Sequence, residues 1–489
     1  MTHVFDQTPD APSLLDPADW ERFRGQAHRL LDLCVDRLMA NREHPWRPLD
    51  AADREALKLG AATRGVGVEV LVEELSRRIL PFATGNTHPR FFGWVHGSGL
   101  AEGLLSEMVA ATMNSNCGGR DHGAVYVERE VIDWCRRCFG FPEGASGILV
   151  SGTSQATVIA LACARLQALG AASRKEGIQA LPRLTAYAMT GVHNATLKAL
   201  ELLGLGSSAL RTIPGSGGGG MDLERLARAV EEDRQAGLLP FCVIGTAGSV
   251  DLGLFDPLHA LADFCQRERI WFHVDGAFGA WARLAEAPWC ELVQGIERAD
   301  SLALDFHKWM FVQYDCGVVL LRDERTHRAA FAARPAYLAQ QSQGLGSGEP
   351  WYCDYGIDLS RGFRALKVWS ALRAHGSEAF GQAITRNCRL AERMAQRVAE
   401  TPGLRLAAGV RLNICCFSAA PESWELARQD ELNMRIAQQL QLSGDGVFST
   451  TKIAGGVVLR AAIVNHRTNE ADIDGVIEAV SRMRITLGA

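Results

Sequence analysis

Two short apolar runs in the middle of the chain each end on a group suited to carbonyl chemistry. In Leu302-Ala303-Leu304-Asp305-Phe306-His307-Lys308-Trp309, a histidine and a lysine stand side by side where the run stops. Upstream, Trp271-Phe272-His273-Val274-Asp275-Gly276-Ala277 ends on one carboxylate followed by two small residues. A lysine amine condenses with an aldehyde, and a buried carboxylate keeps a pyridine nitrogen protonated so that the ring accepts electrons. Those two groups on neighbouring strand ends are what a pyridoxal-phosphate site requires. Each also has a bland reading, Lys308 as a solvated strand end and Asp275 as a helix N-cap. Their pairing, and the small residues that let a flat ring approach the backbone, favour the chemical one.

Three further segments carry polar groups. Ser151-Gly152-Thr153-Ser154-Gln155-Ala156-Thr157 follows an apolar run and opens a long apolar helix. That is the order of a phosphate cup, in which N–H groups and hydroxyls at a helix N-terminus meet an anion. Thr246, Gly248 and Ser249 follow the next run and extend a polar wall. His193, in Gly191-Val192-His193-Asn194-Ala195, either stacks on a cofactor ring or is a satisfied polar core residue. The glycine-rich stretch Gly215 to Gly220 reads as a flexible surface turn, because no apolar strand feeds it.

These residues need a scaffold, and the chain supplies an alternating one. Strands are expected at 147–150, 185–189, 241–245, 270–274 and 301–304, with helices between them such as 223–235 and 257–267. Strand and helix in alternation argue for an α/β fold with a largely parallel sheet covered on both faces, whose ligands sit at the carboxyl ends of strands. Before it, Pro17 to Arg78 is an amphipathic helical arm broken near Pro45 and Pro48, with little core of its own. After it, Phe363 to Ala374 reads as a helix. Ser377 to Ala489 reads as a smaller α+β unit with strands near 413–417 and 457–464.

Composition narrows the setting. Hydrophobic residues make up 47% and charged residues 22%, normal for a soluble globular protein. A net charge of -5 leaves no footprint for nucleic acid or for an anionic membrane. No stretch approaches a membrane span, and Met1 to Asp19 lacks the order of a signal peptide, so the expected compartment is the cytoplasm. The 13 cysteines include Cys135-x-x-Cys138 inside an amphipathic helix, and no second pair stands at zinc spacing. They are expected to be buried free thiols, and no metal site is expected.

The order Ser-Gly-Thr-Ser-Gln-Ala, His193, Thr246-Ala-Gly-Ser, His-Val-Asp-Gly-Ala, His-Lys-Trp resembles the group II pyridoxal-phosphate-dependent decarboxylases. That family includes aromatic-amino-acid, glutamate and histidine decarboxylases. The likeness runs from His88-Pro89-Arg90-Phe91-Phe92 to Leu459-Arg460 and Asn465-His466-Arg467-Thr468, most of the chain. It implies the type I fold of pyridoxal-phosphate enzymes: a mainly parallel seven-stranded sheet in a large domain, an N-terminal helical arm and a smaller C-terminal α+β domain. The divisions expected are 1–92 (a dimerisation arm), 93–375 (binding pyridoxal 5'-phosphate) and 376–489. The partner expected is a second copy, with the active site at the interface.

Position by position, the resemblance makes Lys308 the Schiff-base lysine, Asp275 the pyridinium partner and His193 the stacking histidine. Thr153, Ser154 and His307 become phosphate contacts, with Thr246 and Ala277 beside the ring. Asp305 stands where aromatic decarboxylases often carry Asn. Tyr337, before the Gln/Gly/Ser-rich stretch 340–350 that reads as mobile, resembles the tyrosine that protonates the carbanionic carbon after carbon dioxide leaves; relatives with Phe there tend to make aldehydes. The expected reaction is decarboxylation of an L-amino acid to its amine. Phe91, Phe92, Trp94 and Tyr314 would line an apolar pocket for an aromatic side chain, and Arg460 falls at the family's pocket arginine. Arg90, Arg120 and His122 could instead pair an acidic side chain. A transaminase or carbon–carbon lyase sharing the fold, or a scaffold without catalysis, are the rival readings.

Overall fold

The computed structural model describes residues 15–216, 219–333 and 341–488. A seven-stranded sheet lies at its centre, built from β1 (Ser146–Val150), β2 (Leu184–Met189), β3 (Leu210–Ile213), β4 (Leu239–Thr246), β5 (Trp271–Asp275), β6 (Ser301–Asp305) and β7 (Gly317–Leu321). Their order is β1-β7-β6-β5-β4-β2-β3. β3, β2, β4, β5 and β6 run parallel, while β7 is antiparallel to both β6 and β1. Every residue of β1, β2, β5, β6 and β7 is buried, as helices on both faces of a sheet dictate. The five expected strands form at nearly their expected positions; β3 and β7 are additions.

The 153–169 helix crosses behind the sheet with ten buried residues, and packs on β6 and β7. Beyond the sheet, the expected 363–374 helix is the start of a longer one, Ala365–Glu400, broken at Gly376 (φ 71°), where only a residue without Cβ is relaxed. A four-stranded antiparallel sheet follows, formed by β8 (Arg405–Leu406), β9 (Ile414–Ser418), β10 (Ser449–Ile453) and β11 (Gly456–Ala462) in the order β10-β11-β9-β8. Helices Leu426–Ser443 and Glu470–Gly488 pack with this sheet around a second core containing Phe417, Phe448, Leu459 and Ile473.

The arm forms helices Trp20–Met39, Ala51–Ala56 and Val68–Glu74. Its first helix buries none of its residues. Ion pairs hold it to its surroundings: Arg29 to Glu73 at 3.0 Å, and Arg42, just past its end, to Asp472 at 3.0 Å. Gly215 pairs with Met221 in a short bridge at the glycine-rich turn, of which residues 217–218 lie outside the described set.

Candidate active site

Thr246, Asp275 and Asp305 are the last residues of β4, β5 and β6, and the register sets Thr246 beside Asp275 and Asp275 beside Ala303. They open on a cavity of about 500 Å³ that also receives His193, Ala277, His307 and Lys308. Asp275 is buried and accepts the Ala277 N–H at 3.2 Å. Burial pushes its carboxyl up, and the Lys308 charge opposes that rise. His193 caps helix Asn194–Leu202, its Nδ1 accepting the Ala195 N–H at 3.2 Å. Thr246 is held through its N–H on Asp256 at 2.7 Å, and the other oxygen of that carboxylate takes the Met221 N–H at 2.7 Å.

Groups suited to an anion also line the cavity. The N-terminus of the 153–169 helix faces it, with Thr153 and Ser154 in its wall. The buried Thr153 hydroxyl has no hydrogen-bond partner among the described residues, a loss that a ligand oxygen would repair. His307 is fixed by its Nδ1 on the Cys316 backbone, 3.1 Å from the N–H and 3.0 Å from the carbonyl, which leaves Nε2 for the cavity. Burial pushes its pKa down and keeps the ring neutral. Lys308 Nζ lies 2.8 Å from Asp305 Oδ2, and Asp305 Oδ1 accepts the Thr153 N–H at 2.6 Å. The 97 position must be glycine here, since a Cβ would stand 2.3 Å from the His307 carbonyl oxygen and 2.4 Å from that of Lys308.

Aromatic rings make the remaining wall. Trp94 stacks on His96 (5.5 Å, 24°), His96 stacks on Phe91 (5.8 Å, 15°), and Tyr314 covers His307 at 4.3 Å. Trp94 has a left-handed backbone (φ 54°). Its carbonyl accepts from Arg460 at 3.2 Å, which holds that conformation from behind. Burial and the Lys308 charge push His96 down, so it stands in the wall as a neutral ring. Burial pushes the Tyr314 hydroxyl up to about 12.

Residues 53–420 match the family described as the pyridoxal-dependent decarboxylase conserved domain. An aromatic-L-amino-acid decarboxylase from Bacillus atrophaeus is 31% identical over 460 residues, 93% of each chain. The chain belongs to the pyridoxal-dependent decarboxylases. This decarboxylase is also similar to phenylacetaldehyde synthase of Arabidopsis thaliana, 27% identical over 94% of this chain and 95% of that one. Its fold is shared by an Oryza sativa structure described as TDC with PLP and tryptamine, with a TM-score of 0.87, 24% identity, and 96% and 99% of the two chains covered. The protein is thus a pyridoxal-phosphate-dependent carboxy-lyase. Its unpartnered Thr153 hydroxyl, helix N-terminus and His307 fit the phosphate of that cofactor, and Lys308 and Asp275 fit its aldehyde and ring nitrogen.

The structure brings together Lys308, Asp275, His193, Thr153, Ser154, Thr246, Ala277, His307, Trp94 and Tyr314 in one cavity wall. Four residues expected to touch substrate lie elsewhere in this protomer. Phe92 points into the second core against Phe448, because adjacent residues of an extended segment face opposite ways. Phe91 is buried behind His96. Arg120 lies over the Trp351 ring at 4.5 Å. Arg460 is buried and spends its guanidinium on the Trp94, Val250 and Asp251 carbonyls and the Ser449 hydroxyl. Arg90 pairs with Asp472 at 3.4 Å, and His122 meets the Asn116 carbonyl at 3.2 Å. Tyr337 and Gln340 lie outside the described residues. His96, Met189, Val250 and Phe278 line the cavity without having been singled out in the sequence; only the aromatic density around Trp94 hinted at His96.

Proposed function

We propose that this decarboxylase converts an aromatic L-amino acid to the corresponding amine and carbon dioxide. The observation that carries the aromatic reading is the wall itself: Trp94, His96, Tyr314, Val250 and Phe278 line it, and no arginine does among the described residues. An acidic side chain would need a cation, and Arg90 is already paired with Asp472.

When bound, pyridoxal phosphate supplies the electron sink for the pair left behind by the departing carboxylate. Thr153, Ser154 and His307 hold its phosphate. Asp275 keeps the proton on the ring nitrogen; a carboxylate pushed up by burial gains the cationic partner that stabilises its charge. His193, Thr246 and Ala277 would hold its ring. Lys308 would hold the aldehyde of that group and would exchange with the substrate amine. The aromatic wall would hold the side chain and orient the substrate carboxylate for departure. Tyr337 returns a proton to Cα, which gives amine and not aldehyde.

The active unit is a homodimer with its site at the interface, in the cytoplasm. Supporting it are apolar side chains left open on the arm and on helix Glu102–Met113, such as Met39 at 78% and Leu105 at 57% exposure. A panel of amino acids assayed for carbon dioxide and amine tests the reaction. Keto acid formed without carbon dioxide would sink it, and turnover confined to acidic or aliphatic amino acids would sink the aromatic assignment.

A further inference from the structure

The lysine that the chemistry needs is not free in this cavity. Its ammonium is paired with Asp305 at 2.8 Å, and the same carboxylate holds the Thr153 N–H at 2.6 Å. Asp305 is 2% exposed, so solvent screens neither contact. Its seat is built: a Cβ at Gly317 would stand 2.6 Å from Oδ1, and the His307 Nε2 lies 3.7 Å from Oδ2. The other ionisable groups near it are Asp275, which its charge pushes up, and Tyr314.

We propose that Asp305 is a positioning residue that parks the Lys308 ammonium whenever that nitrogen is not bonded to the cofactor, and couples this parking place to the first turn of the phosphate-binding helix. Lys308 is unbonded twice: before the cofactor enters, and while the substrate amine occupies the aldehyde carbon. A lone ammonium in a partly closed cavity is costly, and a fixed carboxylate at salt-bridge distance removes that cost. To bond to the aldehyde carbon, Lys308 must leave Asp305 and release its proton to solvent. Its nitrogen pair then forms the C–N bond, and the carbonyl oxygen departs as water. The carboxylate therefore slows capture of the cofactor and steadies the displaced lysine. It also occupies the Thr153 N–H, so the phosphate draws on the Thr153 hydroxyl, Ser154 and His307, next to a negative charge whose ammonium partner among the described residues is Lys308.

The inference rests on the cofactor and not on the substrate, and its test needs neither turnover nor a known amino acid. Asp305→Asn keeps an oxygen for the Thr153 N–H, removes the charge and replaces the oxygen that accepts from Lys308 with an NH2 donor. In cofactor-free full-length protein, this variant should capture pyridoxal phosphate severalfold faster at pH 7 by stopped-flow absorbance. Capture equal to or slower than wild type would overturn the parking role. Lys308→Met approaches from the other side, leaving Asp305 bare. It should bind inorganic phosphate severalfold more weakly than wild type by calorimetry, with recovery in Lys308→Met/Asp305→Asn. Phosphate affinity unchanged in Lys308→Met, or not recovered in the double variant, would also overturn the proposal, and neither result depends on Asp305→Asn folding alone.

Discussion

Arg460, on a strand of the four-stranded sheet, donates to the Trp94 carbonyl at 3.2 Å, and so reaches the cavity wall from outside the cavity. The same guanidinium holds Ser449 Oγ at 3.0 Å, the Asp251 carbonyl at 3.3 Å and the Val250 carbonyl. Trp94 and Val250 both line the site, so one buried side chain sets the spacing of two of its walls. Arg460→Met should raise KM for the substrate about tenfold, with a smaller loss in kcat, because misplaced walls weaken binding before they touch the reacting bond. It should also destabilise the fold by about 3 kcal/mol, since three carbonyls and the Ser449 hydroxyl lose a buried donor at once. Steady-state kinetics with denaturant unfolding separates the two effects; an unchanged KM would remove Arg460 from the wall.

Lys308→Ala should abolish turnover, by roughly 10³-fold or more, because no other lysine lines the cavity among the described residues. Asp275→Asn should cost roughly 10²–10³-fold in kcat, as the charge that holds the ring nitrogen protonated is lost while the shape is kept. Product formation under single-turnover conditions checks both. Substantial decarboxylation by Lys308→Ala would refute its role.

Tyr337→Phe should lose amine product and gain aldehyde, with carbon dioxide release retained. Chromatography of the products against total carbon dioxide reads the switch, and an unchanged amine yield would take Tyr337 out of the protonation step.

Trp94→Ala should reduce kcat/KM for aromatic amino acids by about 10–100-fold relative to aliphatic ones, the value of about 1.5–3 kcal/mol for burying a large apolar side chain. A paired comparison across substrates checks it: equal losses on both would mean that Trp94 maintains the fold and does not choose the side chain.

What the sequence made legible follows from periodicity. β1, β4, β5 and β6 are continuous apolar runs between helical stretches, and a parallel sheet places their ends together, which is why the sequence alone groups Thr153, Thr246, Asp275 and Lys308. β3 escaped notice because only Ile213 of its four residues is buried, with Arg211 and Thr212 facing out. β7 was hidden because it returns antiparallel to β6 after a loop, without the helix that marks the other crossovers. His96 sits in a segment with no helical or strand period, so nothing aimed it at the cavity until tertiary packing stacked it on Trp94. Arg460 shows the converse. A cation on a strand reads as a substrate ligand, while burial among carbonyls makes it a brace.

Acid should unfold this decarboxylase through its buried histidines. His327 is fully enclosed, bonded to Ser146 Oγ at 2.9 Å and to the Tyr355 carbonyl at 2.7 Å, and burial pushes it down to about 3. His466 is pushed down to about 3 and His88 and His273 to about 4, all chiefly by burial. A base whose pKa falls on folding binds fewer protons in the folded state. The unfolded chain therefore takes up protons first, and stability is complete above the ordinary histidine pKa of about 6.5 and falls as pH drops toward 4. Each such histidine contributes a slope of up to about 1.4 kcal/mol per pH unit in that window. Asp256 and Asp300, raised by burial, offset part of it near the acid end. Urea unfolding between pH 7 and 4.5 should therefore show stability falling with acid, and His327→Gln, which keeps a donor and an acceptor but cannot charge, should flatten the slope by about one proton's worth. An identical slope in the variant would show that His327 does not titrate on unfolding.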